Sequence, residues 1–130
     1  MITRTIALVG IVDDDKSVRD SISSLLRSAG FKTMVFESAE AFLDADGAVE
    51  PDCLVLDVRM PGLSGLQLQS QLRDMGRQTP VIFVSAHNDS QVQTTAFHQG
   101  AAAFLGKPFS DEVLLGAIRS AIGADEASAS

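Results

Sequence analysis

The chain has 130 residues, of which 45% are hydrophobic and 21% charged, so it can form one domain with a packed core. Its formal net charge of −7 at pH 7 argues against nucleic acid or an anionic membrane as a direct partner, because both attract basic surfaces. No apolar run approaches the ~20 residues that cross a bilayer, and the single cysteine excludes an internal disulfide, so we expect a cytoplasmic protein.

Apolar segments of strand length alternate five times with segments of helical periodicity. The predicted strands cover residues 5–12, 32–36, 53–57, 80–85 and 101–106. The first two predicted helices are a helix over 17–29 capped by Asp15 and a short helix between the cap Ser38 and Gly47. The other three are a helix carrying Leu66, Leu68, Leu72 and Met75, a helix over 89–99, and a last helix carrying Val113, Leu114, Ala117, Ile118 and Ala121. This alternation predicts an α/β fold, in which right-handed crossovers place helices on both faces of an open, doubly wound parallel sheet.

The strands of this sheet end in polar residues. Strand one ends in three aspartates that include Asp13 and Asp14, strand three ends in Asp57, strand four ends in Ser85, and strand five runs into Lys107. Ligands of doubly wound sheets bind beyond the carboxyl ends of the strands, where the strand order reverses. If the strand order is 2-1-3-4-5, strands one and three are neighbours at that point, and their acids share one cleft.

Crowded carboxylates favour a divalent cation, because like charges raise each other's pKa unless a cation lies between them. Mg²⁺, or Mn²⁺ in its place, suits a site with few carboxylates and a phosphate oxygen. Lys107 and Ser85 would add a positive charge and a hydroxyl donor, which together describe a receptor for a phosphoryl group. Since no basic residue is placed to activate water or a serine, the predicted nucleophile is a carboxylate that forms an acyl phosphate on Asp57.

These segments resemble a response-regulator receiver domain. The matching pieces are Val12-Asp13-Asp14, Leu56-Asp57, Met60-Pro61-Gly62, Ser64-Gly65, Val84-Ser85-Ala86, and Phe104 followed by Lys107-Pro108-Phe109. The resemblance covers about residues 5–122. It implies a flavodoxin-like (βα)5 fold with strand order 2-1-3-4-5. The expected organisation is a receiver domain over residues 4–122 and a flexible tail or linker start over residues 123–130.

The resemblance also assigns roles at the strand ends. It implies that Asp57 is the phosphoacceptor, that Asp14 binds the metal directly, and that Asp13 acts largely through water. The backbone carbonyl of Arg59 would be a further metal ligand. Ser85 and Lys107 would contact the phosphoryl group, and the Lys107–Pro108 peptide bond is expected to be cis. Arg59 and His87 occupy positions that tune phosphoryl lifetime in similar domains.

The implied function is a signalling switch. Such a domain takes a phosphoryl group from a histidine kinase or histidine phosphotransfer protein onto Asp57, catalysing its own phosphorylation and slow dephosphorylation. Ser85 and Phe104 would be the switch residues that reshape the surface of helix four and strand five. Helix four is expected to move easily, because its apolar stripe is chiefly Val92, Ala96 and Phe97.

The output that this switch would control is expected to be a separate protein or a domain outside the chain. The segment Arg59-Met60-Pro61 together with Phe104 is most similar to regulators with a helix-turn-helix output. A homodimer formed on phosphorylation through helix four and strand five is also implied by the resemblance.

Three other functions compete with this interpretation. A flavin or nucleotide binder needs a Gly/Ser/Thr-rich phosphate loop after strand one, where the aspartates lie. A phosphatase with an aspartyl nucleophile needs a general acid soon after it, but Val58 and Arg59 follow Asp57. A receiver that acts only as a phosphorylation-independent docking module should lack an essential acid or the lysine, and neither is missing.

Overall fold

The computed structural model describes residues 6–45, 50–86 and 89–129. Within them, five parallel strands form one sheet: β1 (Leu8–Val12), β2 (Lys32–Phe36), β3 (Cys53–Leu56), β4 (Val81–Ser85) and β5 (Ala103–Gly106). The strand order is β2-β1-β3-β4-β5, which confirms the prediction. The register pairs Val12 of β1 with Leu56 of β3, so the aspartates that follow these two residues emerge side by side.

Five helices connect or follow the strands in the described ranges: α1 (Lys16–Ser28), α2 (Ala39–Asp44), α3 (Gly65–Asp74), α4 (Ser90–His98) and α5 (Asp111–Ala129). The first four begin after side chains that accept a backbone N–H, namely Asp15, Ser38, Ser64 and Asp89. In this part of the chain, no helix combines the length and apolarity that a membrane crossing requires.

The helices cover both faces of the sheet. On one face, α1 and α5 bury a cluster that includes Val9, Ile11, Ile22, Leu26, Leu114 and Ile118. On the other face, α2, α3 and α4 bury a cluster that includes Leu54, Leu56, Phe42, Leu68, Phe83 and Ala96. Because β1, β3 and β4 are covered on both sides, their continuous apolar runs are explained by burial rather than by alternation.

Helix α4 contributes less to the core than the sequence predicted. Ala96 is buried, and Val92, one turn earlier, packs against the same cluster. Phe97 is 49% exposed, so its assignment to the core stripe was wrong. Successive helical residues are about 100° apart around the axis, so Phe97 points away from the face that carries Ala96.

The ends of several elements differ from the prediction. Residues 123–129, part of the expected flexible tail or linker start, continue the backbone of α5, which ends at Ala129. These residues contain no proline and several alanines, which favour helix. Strand β5 begins at Ala103 rather than at residue 101, because the N–H of Ala101 closes the end of α4 on the Ala96 carbonyl. The predicted helix end at Gly47 lies outside the described residues.

Candidate acidic site at the carboxyl edge of the sheet

Three carboxylates meet beyond the ends of β1 and β3. Asp13, Asp14 and Asp57 each offer one oxygen, and these oxygens lie within 4.8 Å of one another. Sheet hydrogen bonds place two of the three residues: the Asp13 N–H donates to the Phe36 carbonyl at 3.2 Å, and the Asp57 N–H donates to the Val12 carbonyl at 3.0 Å. The structure therefore brings together the acids that the sequence analysis selected.

Asp13 is the most restrained of the three acids and is only 1% exposed. Its Oδ1 accepts a hydrogen bond from the Asp15 N–H at 2.9 Å, and its Oδ2 accepts one from Lys107 Nζ at 3.1 Å. Its main-chain carbonyl accepts Nη1 of Arg19 at 2.8 Å. Sequence reasoning missed Arg19, although a long cationic side chain in the second turn of the following helix can reach back to the strand end.

Lys107 reaches the acids from the fifth strand. The register pairs Ser85 with Gly106, and the Lys107 N–H donates to the Ser85 carbonyl at 2.9 Å. The Lys107 ammonium lies 3.1 Å from Asp13 and 4.0 Å from Asp57. The Lys107–Pro108 peptide bond is cis, as expected. A single ammonium thus partly neutralises two buried carboxylates.

Ser85 and Phe104 lie on neighbouring strands. Ser85 is fully buried, and the alternation along β4 places it on the same face as Phe83. Phe104 of β5 is paired with Phe83, and the two rings lie 5.7 Å apart with an angle of 31° between their planes. Ser85 and Phe104 therefore share the side of the sheet that α4 covers, and their switch role stays a prediction.

The loop after Asp57 is held tightly against the strand end. The Gly65 N–H donates to the Val58 carbonyl at 2.8 Å, and a Cβ on Gly65 would lie 2.0 Å from the Asp57 carbonyl oxygen. Glu40 accepts the Leu63 N–H at 2.8 Å and fixes the same loop from α2. Only glycine fits at position 65 without a shift of the backbone. The sequence analysis did not identify this constraint. The available signal was a glycine at the start of a predicted helix, where a better helix former would be expected.

The three carboxylates fit a hard divalent cation. Among the described residues, this cluster contains only carboxylate groups, without histidine or cysteine. Such oxygen donors are the ligands that Mg²⁺ and Mn²⁺ prefer. Asp14 is exposed, which leaves its carboxylate accessible. Arg59 is also exposed, and metal binding by its carbonyl stays a prediction, while His87 lies outside the described residues.

Burial raises the pKa of Asp57 above its ordinary value of 3.8, the Asp13 carboxylate raises it further, and the Lys107 ammonium opposes both effects. A raised pKa in the folded state means that ionising Asp57 costs folding free energy. This cost is absent below the unfolded pKa and grows as the pH rises through the folded pKa.

We therefore expect Asp57→Asn to raise the urea midpoint at pH 7 in EDTA. The gain should shrink as the pH falls towards the ordinary aspartate pKa of 3.8. Urea unfolding followed by circular dichroism across this pH range measures both effects. An unchanged or lower midpoint at pH 7 would contradict this account of the electrostatics at Asp57.

Residues 9–119 match the family model for the response regulator receiver domain. The response regulator protein TmoT of Ectopseudomonas mendocina is 47% identical over 116 residues, which cover 89% of this chain and 53% of TmoT. The transcriptional regulatory protein FixJ of Azorhizobium caulinodans is 43% identical over 115 residues, which cover 88% of this chain and 54% of that protein. The chain thus spans about half the length of the curated relatives it matches.

Solved structures agree with this match. The crystal structure of FixJ-N has a TM-score of 0.85 and 38% sequence identity, covering 92% of this chain and 96% of that one. The response regulator receiver protein from Burkholderia phymatum has a TM-score of 0.79 and 42% identity, covering 90% of this chain and 95% of that one. Together with the strand order and the acidic site, these similarities show that the chain belongs to the response regulator receiver domain family.

Proposed function

We propose that this domain accepts a phosphoryl group on Asp57 and works as a phosphorylation-controlled switch in two-component signalling. The observation that carries the proposal is the Lys107 ammonium, which lies 3.1 Å from Asp13 and 4.0 Å from Asp57 beside a three-carboxylate cluster. A buried carboxylate with a cation beside it can act as a nucleophile towards a phosphoryl group, because the nearby positive charge offsets the charge that the group brings.

In the proposed transfer, a carboxylate oxygen of Asp57 attacks phosphorus and forms an acyl phosphate. The bond between phosphorus and the imidazole nitrogen of a phosphohistidine donor breaks, and its electron pair leaves with the imidazole. Lys107 gives up part of its interaction with Asp13 and donates to a phosphoryl oxygen. The burial of Asp57, which is 7% exposed, limits the access of competing water.

The expected cofactor is Mg²⁺, with Mn²⁺ as a substitute. Asp14 and Asp57 would hold it directly, Asp13 would act through water, and the carbonyl of Arg59 would complete the protein ligands. When bound, the cation would neutralise charge on the transferring phosphoryl oxygens. Slow hydrolysis of the acyl phosphate would return the domain to its resting state, and we propose that the exposed Arg59 side chain influences the rate of that hydrolysis.

The switch itself would connect Ser85 to α4. In the proposed active state, Ser85 donates to the phosphoryl group, and Phe104 turns into space next to β4. The shared face of Ser85 and Phe104 supports this coupling. Helix α4 has one fully buried residue, Ala96, so moving the helix would expose little apolar surface to water.

The partners follow from this function. The phosphodonor would be a histidine kinase or a histidine phosphotransfer protein in the cytoplasm. The output would be a separate protein or a domain outside the chain, and any contact with DNA would be made by that output rather than by this acidic domain. A homodimer through α4 and β5 is proposed for the phosphorylated state.

The decisive experiment incubates the chain with acetyl phosphate and Mg²⁺ and follows intact mass. We expect wild type and the control Asp74→Asn, an exposed position at the end of α3, to gain the mass of one phosphoryl group. Asp57→Asn, or wild type in EDTA, should gain none. An adduct that persists in Asp57→Asn would place the phosphate elsewhere, and no adduct in wild type would favour a docking module independent of phosphorylation.

The same samples test the switch. Addition of beryllium fluoride and Mg²⁺, which mimic the phosphoryl group, should shift backbone amide resonances within residues 85–105 of wild type. Unchanged resonances throughout that segment, despite binding of the mimic at Asp57, would contradict the proposed coupling to α4.

A further inference from the structure

Arg19 makes a contact that the proposed phosphoryl chemistry does not use. It lies in the second turn of α1 with a half-buried side chain. Its Nη1 donates to the main-chain carbonyl of Asp13 at 2.8 Å. That carbonyl belongs to the planar peptide unit between Asp13 and Asp14, so the guanidinium restrains the orientation of the whole unit. This peptide unit carries the backbone from which the Asp14 side chain projects.

Asp14 depends on its backbone for its direction. Asp13 is anchored at its N–H, its carbonyl and both carboxylate oxygens. The Asp14 side chain, in contrast, is exposed and makes no hydrogen bond within the part of the chain that the structure describes. Its carboxylate nevertheless lies in the cluster with Asp13 and Asp57. The direction of the Asp13–Asp14 peptide therefore decides whether the third carboxylate faces the other two.

We propose that Arg19 is a positioning residue that holds the Asp13–Asp14 peptide so that the Asp14 carboxylate is presented to a divalent cation. This inference rests on the proposed function, since it assumes that the acidic cluster takes up Mg²⁺. Groups that orient metal ligands through hydrogen bonds typically contribute about 10- to 100-fold to metal affinity. We assign Arg19 a role of this size.

The positive charge of Arg19 allows a clear test, because a charge effect and a positioning effect predict opposite changes in cation affinity when Arg19 is removed. A guanidinium near the cluster repels an incoming cation, so its removal should tighten binding if charge alone mattered. If Arg19 orients Asp14, its removal should weaken binding despite the gain in negative potential. Arg19→Met keeps an unbranched apolar stem and removes both the charge and the hydrogen bond to the Asp13 carbonyl, which separates these two predictions.

The test is isothermal titration of the 130-residue chain with Mg²⁺, repeated with Mn²⁺. We expect Arg19→Met to raise the dissociation constant about 10- to 100-fold. Arg19→Lys, which can still donate one hydrogen bond, should lie between wild type and Arg19→Met. The matched control is Lys16→Met on the same helix, whose ammonium is exposed and paired with Asp20. It removes the same charge without touching Asp13, so its affinity should equal or slightly exceed that of wild type.

Two further measurements separate positioning from a general loss of structure. In EDTA, circular dichroism should show Arg19→Met folded at the titration temperature. In the same buffer, the amide resonances of Asp14 and Asp15 should shift, while those of Leu114 in α5 should not. If Arg19→Met is destabilised, Arg19→Lys supplies the same comparison of affinity and amide shifts in a less disruptive variant.

The outcomes distinguish this inference from the proposed function. A wild-type domain that binds Mg²⁺, with Arg19→Met binding equally or more tightly, overturns the role of Arg19 and leaves the phosphoacceptor proposal intact. A wild-type domain that binds no divalent cation overturns both proposals. Weaker binding in Arg19→Met, normal binding in Lys16→Met and a partial recovery in Arg19→Lys support the positioning role.

Discussion

Replacing Lys107 with methionine is expected to slow phosphorylation of Asp57 by acetyl phosphate about 100-fold, the usual cost of losing one preorganised group that stabilises developing charge. The Lys107 ammonium lies 3.1 Å from Asp13 and 4.0 Å from Asp57. Without it, a transferring phosphoryl group would meet the two buried carboxylates of Asp13 and Asp57 without the positive charge that now lies beside them. The rate of adduct formation, followed by intact mass at fixed Mg²⁺, measures the effect.

The loss of Lys107 should also change the resting domain. Lys107 lowers the pKa of Asp57, which burial and Asp13 raise. Its removal should therefore raise that pKa further and lower stability at neutral pH in EDTA. Lys32→Met is the matched control, because Lys32 is exposed at the start of β2, at the opposite edge of the sheet. If Lys107→Met were phosphorylated as fast as Lys32→Met, the ammonium would have no part in the transfer.

Gly65→Ala is expected to destabilise the domain by about 3 kcal/mol, the upper end of the usual cost of overpacking. The added Cβ would lie 2.0 Å from the Asp57 carbonyl oxygen and 3.1 Å from the Val58 Cα, both backbone atoms that cannot rotate away. Either the start of α3 or the end of β3 must shift. Because a displacement of about 1 Å at a reacting group can cost ~100-fold in rate, phosphorylation of Asp57 should fall by a similar factor.

Gly116→Ala provides the control for this substitution. Gly116 lies on the exposed side of α5, and a Cβ there would meet no atom within 4 Å. Alanine favours a helix interior over glycine by about 1 kcal/mol, so this variant should be slightly more stable than wild type. Urea unfolding compares stability, and acetyl phosphate labelling compares function. A Gly65→Ala protein as stable as wild type would contradict this prediction, because it would show that α3 can move away from the Asp57 carbonyl without loss of stability.

The site residues that could be predicted are those whose positions follow from the neighbouring residues in the sequence. An apolar run followed by Asp13 and Asp14, and another followed by Asp57, marks the ends of buried strands whatever the details of packing. Parallel strands with helical crossovers then require these ends to lie at one edge of the sheet. The caps Asp15 and Ser38 were predictable for the same reason, because the N–H groups that they accept belong to the next turn of helix.

The sequence alone thus determined which residues would lie at the functional edge, while the order of the strands came from the resemblance to receiver domains. Only the tertiary structure decided that Phe97 faces outwards, that Gly65 lies against the Asp57 carbonyl, and that Arg19 donates a hydrogen bond to the Asp13 main-chain carbonyl. Each of these features depends on how one helix is placed and rotated against the sheet. That placement results from packing among residues distant in the chain, and no local periodicity or capping rule carries it.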